Sequence, residues 1–178
     1  MKITRLPMTN DSVELQWADL LKLADEMKSD AGPGSRAWRS TGSVAEQVNG
    51  MFLQVLRENN GKVPGDLNGI PFVILTTTGA RSGKKRAIPL FSQTVDGRLI
   101  VIGSMGGADR NPPWFYNLVK NPEVTVEKHG QTFKATAVVT EGKERAYFFQ
   151  KMCEAFPIFS EYQAGTRRTI PIVELKQV

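Results

Sequence analysis

Residues 72–104 read FVILTTTGARSGKKRAIPLFSQTVDGRLIVIGS and decide the fold. The apolar, β-branched run Phe72–Thr77 predicts a buried strand. A basic turn follows it, and a second strand is predicted from Arg86 to Val95. Asp96-Gly97 between apolar runs is a strong signal for a two-residue hairpin turn, so Arg98–Ser104 is predicted as the return strand. The stretch therefore predicts three successive antiparallel strands.

Downstream residues continue this pattern. Val124–Lys128 and Thr132–Val139 form a second predicted hairpin, and Ile170–Leu175 is the last predicted strand. Short helices are predicted at Pro113–Lys120 and Lys143–Glu154. Antiparallel strands with short helices between them predict an α+β protein built on a small β-barrel.

The segment before the strands is helical in pattern. Apolar residues recur at helical spacing over Ser12–Lys28, and a second helix is predicted to begin at Ser43 and to end at Asn59–Gly61. We therefore expect residues 1–60 to form an N-terminal helical extension and residues 61–178 to form the barrel domain. Three roles stay open for the extension: packing on the barrel, a dimer contact, or peripheral membrane association.

Composition excludes several kinds of chemistry. Hydrophobic residues make up 40% of the 178-residue chain and charged residues 23%, as in a globular protein with a real core. No apolar run approaches a membrane span, and a single cysteine, Cys153, favours a cytoplasmic protein. The single histidine, His129, lies in a predicted turn, which argues against a histidine-based catalytic triad or a zinc site. An enzyme of this composition would take its reactive chemistry from a cofactor.

Positive charge concentrates in the second part of the chain. Residues 1–60 carry seven Lys/Arg and eight Asp/Glu, a net −1, and residues 61–178 carry the other sixteen and ten, a net +6. The turn Gly79–Arg86 holds two glycines, and four of its eight residues are cations. Backbone N–H groups and Arg side chains together make a phosphate or carboxylate site, although a solvated basic loop fits the same pattern. The spacing differs from the nucleotide-triphosphate P-loop, and no nucleic-acid-binding motif is present.

Two further segments carry candidate ligand contacts. Gly106-Gly107 after a strand permits close backbone approach to a ligand. Trp114 and Phe115 could form the walls of a flat ring pocket, or Trp114 and Leu118, one helical turn apart, could simply belong to the core. Phe156, Phe159 and Tyr162 recur every three residues. These three rings on one predicted helical face fit either an apolar substrate pocket or an aromatic core stripe.

Three stretches in order resemble the deazaflavin-dependent nitroreductase family: Leu75–Leu90, Gly106–Pro122 and Tyr162–Val173. The match covers about Asn49 to Val173 and leaves the first 42 residues out. The resemblance implies a split β-barrel related to flavin-binding oxidoreductases. It also implies coenzyme F420, an 8-hydroxy-5-deazaflavin with a phosphate and a glutamate tail. Reduced F420 would pass a hydride from C5 to a small-molecule acceptor such as a quinone, an activated alkene or a nitroaromatic.

The resemblance also implies which positions contact the cofactor. They fall in the basic turn, the following strand, the glycine segment, the next helix and the aromatic segment. These expected contacts are Ala80, Arg81, Ser82, Lys84, Lys85, Arg86, Ala87, Ile88, Pro89, Leu90, Phe91, Ile102, Gly103, Ser104, Met105, Gly106, Gly107, Pro113, Trp114, Phe115, Tyr116, Asn117 and Phe159.

The chain departs from the family pattern at informative positions. Met105 replaces a lysine that family members often carry beside the phosphate and tail, which should weaken tail binding unless Lys84 and Lys85 compensate. Phe156 and Phe159 replace tyrosines of the nitroreductase-type member, so the substrate pocket, completed by Tyr162, loses two phenols. Tyr162 and Ser104 remain as candidate catalytic hydroxyls. We predict a quinone- or ene-type reductase with weak or absent nitroimidazole reduction.

Two alternative functions stay open at this point. A flavin mononucleotide (FMN) oxidoreductase on the same barrel is one alternative, and a non-catalytic protein that binds deazaflavin or lipid is another. We expect a monomer or a homodimer, a small-molecule acceptor, and no metal or nucleic acid.

Overall fold

A computed structural model describes residues 44–63 and 70–178 of the protein. Within these ranges six antiparallel strands close into a barrel. The strands are β1 (Phe72–Thr78), β2 (Lys85–Val95), β3 (Arg98–Ile102), β4 (Glu123–Lys128), β5 (Gln131–Val139) and β6 (Ile172–Gln177). Their order around the barrel is β1-β2-β3-β6-β5-β4, and β4 pairs back onto β1. The predicted antiparallel barrel in an α+β protein is confirmed.

Short helices lie between and outside the strands. They are α1 (Val44–Glu58), a 3₁₀ turn at Met105–Gly107, α2 (Pro113–Lys120), α3 (Gly142–Ala155) and α4 (Ile158–Ala164). Helix α2 has the predicted bounds, and α3 is one residue longer at each end. None of the helices in the described ranges is long and apolar enough to cross a membrane. The predicted helix 12–28 and the cap at Ser43 lie outside the described residues, so the domain boundary at residue 60 stays a prediction.

Turn chemistry fixes the register of both hairpins. Asp96 and Gly97 have φ angles of 50° and 75°, and His129 and Gly130 have 50° and 74°. Positive φ at both central residues matches the right-handed twist of the flanking strands, and Asp-Gly tolerates it well. His129 is exposed in its turn, as the sequence predicted.

The end of β3, predicted at Ser104, and the start of β6, predicted at Ile170, differ from the prediction for one shared reason. β3 ends at Ile102, and the N–H of Gly103 donates to the carbonyl of Pro171 at 2.9 Å. β6 begins only after Pro171, which has no N–H for the ladder. Ile170 donates its N–H to the side chain of Gln163 instead.

The barrel interior is filled by alternate residues of all six strands. Trp114 and Leu118, one turn apart on α2, are 5% and 1% exposed and belong to the same cluster. The structure therefore shows that Trp114 and Leu118 belong to the core. The buried strand residues of this cluster are Val73, Leu75, Leu90, Val101, Val124, Val126, Ala135, Ala137, Val173 and Leu175.

Two further clusters cover the outside of the barrel. Val55 and Leu56 of α1 pack on Phe72 and Ile74, the outward-facing residues of β1. The cluster beneath α3 and α4 joins helix and strand residues from β2, β3 and β6. Its buried members are Val95, Ile100, Ile102, Phe148, Met152, Phe159, Ile170 and Ile172.

An ion-pair network links α3 to the barrel through Arg98. Its guanidinium donates to Glu144 at 2.7 Å and to Glu174, and it lies 4.5 Å above the ring of Phe148. The Glu174 side chain is only 7% exposed. The hydrogen bond from Arg98 lowers the pKa of Glu174 below its ordinary value of 4.5.

Replacing Arg98 with methionine is expected to lower the free energy of unfolding at pH 7 by about 2 kcal/mol, because it leaves the buried carboxylate of Glu174 with only Lys176 nearby. Stability from Glu174 is present above its unfolded-state pKa and is lost as pH falls through the lower folded-state pKa. Chemical denaturation at pH 7 and pH 3 measures both effects. Lys151→Met, which breaks an exposed pair with Glu154, is the control. Equal losses in the two variants would contradict the role of Arg98.

Candidate functional site

The basic turn between β1 and β2 is tightly built. The N–H of Gly79 donates to the carbonyl of Lys84 at 2.8 Å, and the N–H of Gly83 donates back to Gly79 at 2.9 Å. Gly83 has φ of 67°, and a Cβ on Gly79 would lie 2.5 Å from the hydroxyl of Ser82. Both glycines are therefore required by the turn itself. The result is a compact loop whose cationic side chains point outward.

Helix α2 holds this turn from the side. The buried amide of Asn117 accepts from the N–H of Ala80 at 2.9 Å and donates to Thr77 at 3.1 Å. Lys120 donates to the carbonyl of Ala80 at 2.7 Å, and Asn121 donates to the carbonyl of Thr78 at 3.2 Å. Side chains of α2 thus bind both the N–H and the carbonyl of Ala80 and fix the turn on the barrel.

A cleft of about 430 Å³ lies between the turn and the start of α2. Its volume is in the usual range for a small-molecule site. The lining residues are Gly79, Ala80, Arg81, Ser82, Arg86, Pro113, Tyr116 and Asn117. A second cavity, of about 150 Å³, lies between Leu56 of α1 and Phe72, and it is too small for a tricyclic ring system.

The cations at the cleft are available to a ligand. Arg81, Lys84 and Arg86 are exposed and make no ion pair within the described residues, whereas Lys85 donates to the hydroxyl of Thr78 at 2.7 Å. Tyr116 is 52% exposed on the opposite wall. The cleft therefore combines guanidinium groups, backbone N–H groups and one aromatic surface, which suits an anionic ligand with a flat ring.

The glycine segment after β3 turns sharply. Met105, Gly106 and Gly107 have φ angles of 48°, 60° and 79°. A Cβ on Gly107 would come within 3.1 Å of the Tyr162 carbonyl, and one on Gly103 within 2.7 Å of the Pro171 ring. The close approach that these glycines permit is therefore to α4 and to Pro171, which directly precedes β6. The sequence interpretation had assigned that space to a ligand.

The aromatic segment is mostly packed. Phe159 is 1% exposed, and its ring centroid lies 5.7 Å from Phe91, 5.9 Å from Phe156 and 6.2 Å from Tyr162. Phe156 follows the end of α3 and precedes α4, so the three residues do not share one helical face as predicted. Phe156 and Tyr162 are half-buried and keep part of their surface open.

Predicted cofactor contacts divide into three groups in the structure. Those that line the cleft are Ala80, Arg81, Ser82, Arg86, Pro113, Tyr116 and Asn117. Those buried in the protein interior are Leu90, Ile102, Gly103, Gly107, Trp114 and Phe159. The remaining positions, exposed or half-buried outside the cleft lining, are Lys84, Lys85, Ala87, Ile88, Pro89, Phe91, Ser104, Met105, Gly106 and Phe115.

Sequence reasoning missed several residues that position the site. Lys120 and Asn121 hold the basic turn, and Arg168 holds the glycine segment. Their partners lie roughly 40 to 65 residues away along the chain. The only sequence signal for Arg168 was its place in the third family-like stretch.

An antiparallel barrel with a cationic cleft beside one turn defines the class of split-barrel oxidoreductases that hold an anionic cofactor. The model of the F420H(2)-dependent quinone reductase family matches residues 50–177, and the chain belongs to that family. The F420H(2)-dependent quinone reductase Rv1261c of Mycobacterium tuberculosis (strain ATCC 25618 / H37Rv) is 30% identical over 136 residues, which cover 74% of this chain and 91% of that protein.

Solved structures give the same result. An F420-H2 dependent reductase (FDR-A) is 38% identical with a TM-score of 0.55, and the match covers 60% of this chain and 94% of that one. A second structure, described as a domain-swapped dimer, is 33% identical with a TM-score of 0.57, and the match covers 75% of this chain and all of that one. The predicted split barrel, the F420H2-dependent oxidoreductase class and the choice of F420 over FMN are confirmed.

The residues of the cleft fit this cofactor. F420 carries a phosphate and glutamate carboxylates on a deazaflavin ring. Arg81 and Arg86 line the cleft of about 430 Å³, and Lys84 lies in the same turn outside the lining. None of the three has an ion pair among the described residues, so an anionic tail meets cations there without breaking an existing ion pair.

Proposed function

We propose that the protein transfers a hydride from reduced F420 to a quinone or to an activated alkene such as an enone, and that nitroaromatics are poor acceptors. The observation that carries this proposal is the makeup of the aromatic segment. Phe156 and Phe159 offer no hydroxyl, Ser160 is exposed, and the half-buried Tyr162 and Ser104 carry hydroxyls in the aromatic segment and beside the glycine turn. Neither hydroxyl has a hydrogen-bond partner among the described residues.

Each part of the site has a separate task. Arg81, Lys84 and Arg86 bind the anionic tail, and Asn117 keeps their turn in place. When bound, reduced F420 supplies the hydride. The partly open ring of Phe156 packs against an apolar acceptor and excludes water.

Tyr162 or Ser104 donates a hydrogen bond to the acceptor oxygen that gains charge during hydride transfer. A quinone or enone has such an oxygen conjugated to the carbon that receives the hydride. One donor is enough for this task, because the negative charge develops mainly on that oxygen. The proposal therefore needs no histidine, in agreement with the exposed position of His129 in its turn.

An acceptor panel tests this proposal. The oxidation of F420H2 is followed with menadione, cyclohexenone and a nitroimidazole. We expect turnover with menadione, slower turnover with cyclohexenone, and at least about tenfold lower kcat/KM with the nitroimidazole, the effect of one missing hydrogen bond. Tyr162→Phe should lower kcat/KM for menadione about tenfold for the same reason.

Tyr147→Phe is the matched control, because that hydroxyl donates to Asp96 on the exposed surface, 2.8 Å away. Its kcat/KM should stay within about twofold of wild type. Fast nitroimidazole turnover would contradict the proposed acceptor range. Tight F420 binding without any hydride transfer would instead favour a storage protein.

A homodimer is the oligomeric state that we propose. Its support is the 33% identical structure described as a domain-swapped dimer. Light scattering coupled to size-exclusion chromatography measures the mass, and a mass of about 20 kDa, that of one 19.7 kDa chain, would contradict the proposal.

A further inference from the structure

Arg168 makes most of the side-chain hydrogen bonds to the segment 103–111, which connects β3 to α2. Arg168 donates through Nε to the carbonyl of Ala108 at 2.7 Å and through one terminal nitrogen to the carbonyls of Gly103 and Ser104 at 3.0 and 2.6 Å. Its other terminal nitrogen donates to the side chain of Asn111 at 2.8 Å. Four acceptors spread over the whole segment thus converge on one guanidinium.

These hydrogen bonds also set where the backbone amides point. In a trans peptide the N–H of one residue lies opposite the carbonyl of the residue before it. Because Arg168 draws in the carbonyls of Gly103 and Ser104, the N–H groups of Ser104 and Met105 point away from the guanidinium. Ser104 and Met105 are among the positions expected to contact the cofactor, and Ser104 is a candidate proton donor.

The segment would not keep this shape by itself. Met105 is a non-glycine residue with φ of 48°, followed by two glycines that also have positive φ. Such a run of left-handed residues persists only where its surroundings hold it. The guanidinium is a half-buried cation, and desolvation lowers the pKa of Arg168. Its solvation in the protein comes from the carbonyl oxygens that it binds, so the charge and the loop stabilise each other.

Arg168 also joins the segment to α4. Gln163 on α4 donates to the carbonyl of Arg168 at 2.8 Å, and Gly107 packs against the backbone of Tyr162. Thr166 adds a bond to Asp109 at 2.8 Å. The loop that carries Ser104 and the helix that carries Tyr162 therefore share one set of contacts, with Arg168 at its centre.

We propose that Arg168 is a positioning residue that holds the 103–111 segment in the conformation that receives F420 and places Ser104 for the reaction. It acts mainly through the backbone and not through contact with the cofactor, because four of its five N–H groups already donate within the protein. This role rests on the proposed function of the same site.

Arg145 offers a matched structural control. It is also a half-buried arginine, and it donates to the Ile170 carbonyl at 2.7 Å and to Gln163 at 2.9 Å. It makes no hydrogen bond to the 103–111 segment. Arg167 is exposed and serves as a control for the loss of charge alone.

The test compares Arg168→Met, Arg168→Lys, Arg145→Met and Arg167→Met by thermal unfolding, by F420 titration and by kcat and KM for menadione. We expect Arg168→Met to raise the Kd for F420 at least about tenfold and to lower kcat, with an intermediate Kd in Arg168→Lys, which retains the charge without the planar fork. Arg145→Met should lose comparable thermal stability with Kd within about twofold of wild type.

Two results would overturn the proposal. One is unchanged F420 affinity in Arg168→Met while the wild type binds F420. The other is an equal loss of affinity in Arg168→Met and Arg145→Met, which would make the effect a general loss of structure. Should Arg168→Met not fold, the Arg168→Lys titration decides, and wild-type affinity in that variant counts against the proposal. A wild-type protein that does not bind F420 would overturn the proposed function first.

Discussion

Replacing Arg81 and Arg86 together with alanine is expected to raise the Kd for F420 about a hundredfold, because each arginine contributes one charge-assisted contact of about 1.4 kcal/mol. Both side chains line the cleft and are exposed without ion pairs in the described part of the chain. Their removal therefore frees no buried acid, and the fold should keep its stability within about 0.5 kcal/mol. Fluorescence titration with F420 measures the affinity, and thermal unfolding checks the fold.

The control variant removes the same amount of charge elsewhere. Lys134 on β5 and Lys143 on α3 are exposed and do not line the cleft. Their double alanine variant should bind F420 within about threefold of wild type, since only screened long-range attraction is lost. High salt should reduce the difference between the two double variants. Equal affinities in both would remove the basic turn from the cofactor site.

The second large effect concerns Asn117, which does not carry charge. Asn117→Leu leaves the N–H of Ala80 and the fully buried hydroxyl of Thr77 without their partner. Two unpaired polar groups are expected to lower the free energy of unfolding by about 3 kcal/mol. The turn also loses its preorganised shape, so the Kd for F420 should rise about thirtyfold.

Two residues at the C-terminal end of α2, Lys120 and the cap residue Asn121, provide the comparison for Asn117. Asn121→Leu removes a single bond to the carbonyl of Thr78, and Lys120→Met removes a bond from an exposed amine to Ala80. Each should cost about 1 kcal/mol of stability or less and change the Kd less than tenfold. Calorimetry and titration of the three variants give the order of effects. If Lys120→Met bound F420 more weakly than Asn117→Leu, then the charge of Lys120, and not the shape of the turn, would contribute more to the affinity for F420.

Much of the barrel could be predicted because its signals are local. Asp96-Gly97 sets a hairpin through two residues of positive φ, and the apolar run at Phe72–Thr77 predicts its strand from composition alone. The start of β6 was missed by two residues because Ile170 gives its N–H to Gln163, a side chain on another element. Such a choice depends on tertiary contacts that no local window contains.

In the site, too, features encoded by neighbouring residues could be predicted, and features that depend on distant residues could not. Four cations and two glycines within eight residues predicted an anion site, and the cleft lies at that turn. The hydrogen bond between Ala80 and Asn117 joins residues 37 positions apart and leaves no periodic trace. Spacing by threes suggested one helical face for Phe156, Phe159 and Tyr162, but periodicity cannot separate a pocket wall from a core, and Phe159 is buried.

If this cleft holds F420 by its anionic tail, removing that tail from the ligand should remove most of the binding affinity. The measurement compares the Kd of F420 with that of the 8-hydroxy-5-deazaflavin ring lacking phosphate and glutamates, in wild type and in the Arg81→Ala, Arg86→Ala double variant. Wild type is expected to prefer F420 by at least about a hundredfold, and the double variant is expected to lose most of this preference. Equal affinity of the wild type for the two ligands, or an undiminished preference in the double variant, would contradict binding by the anionic tail.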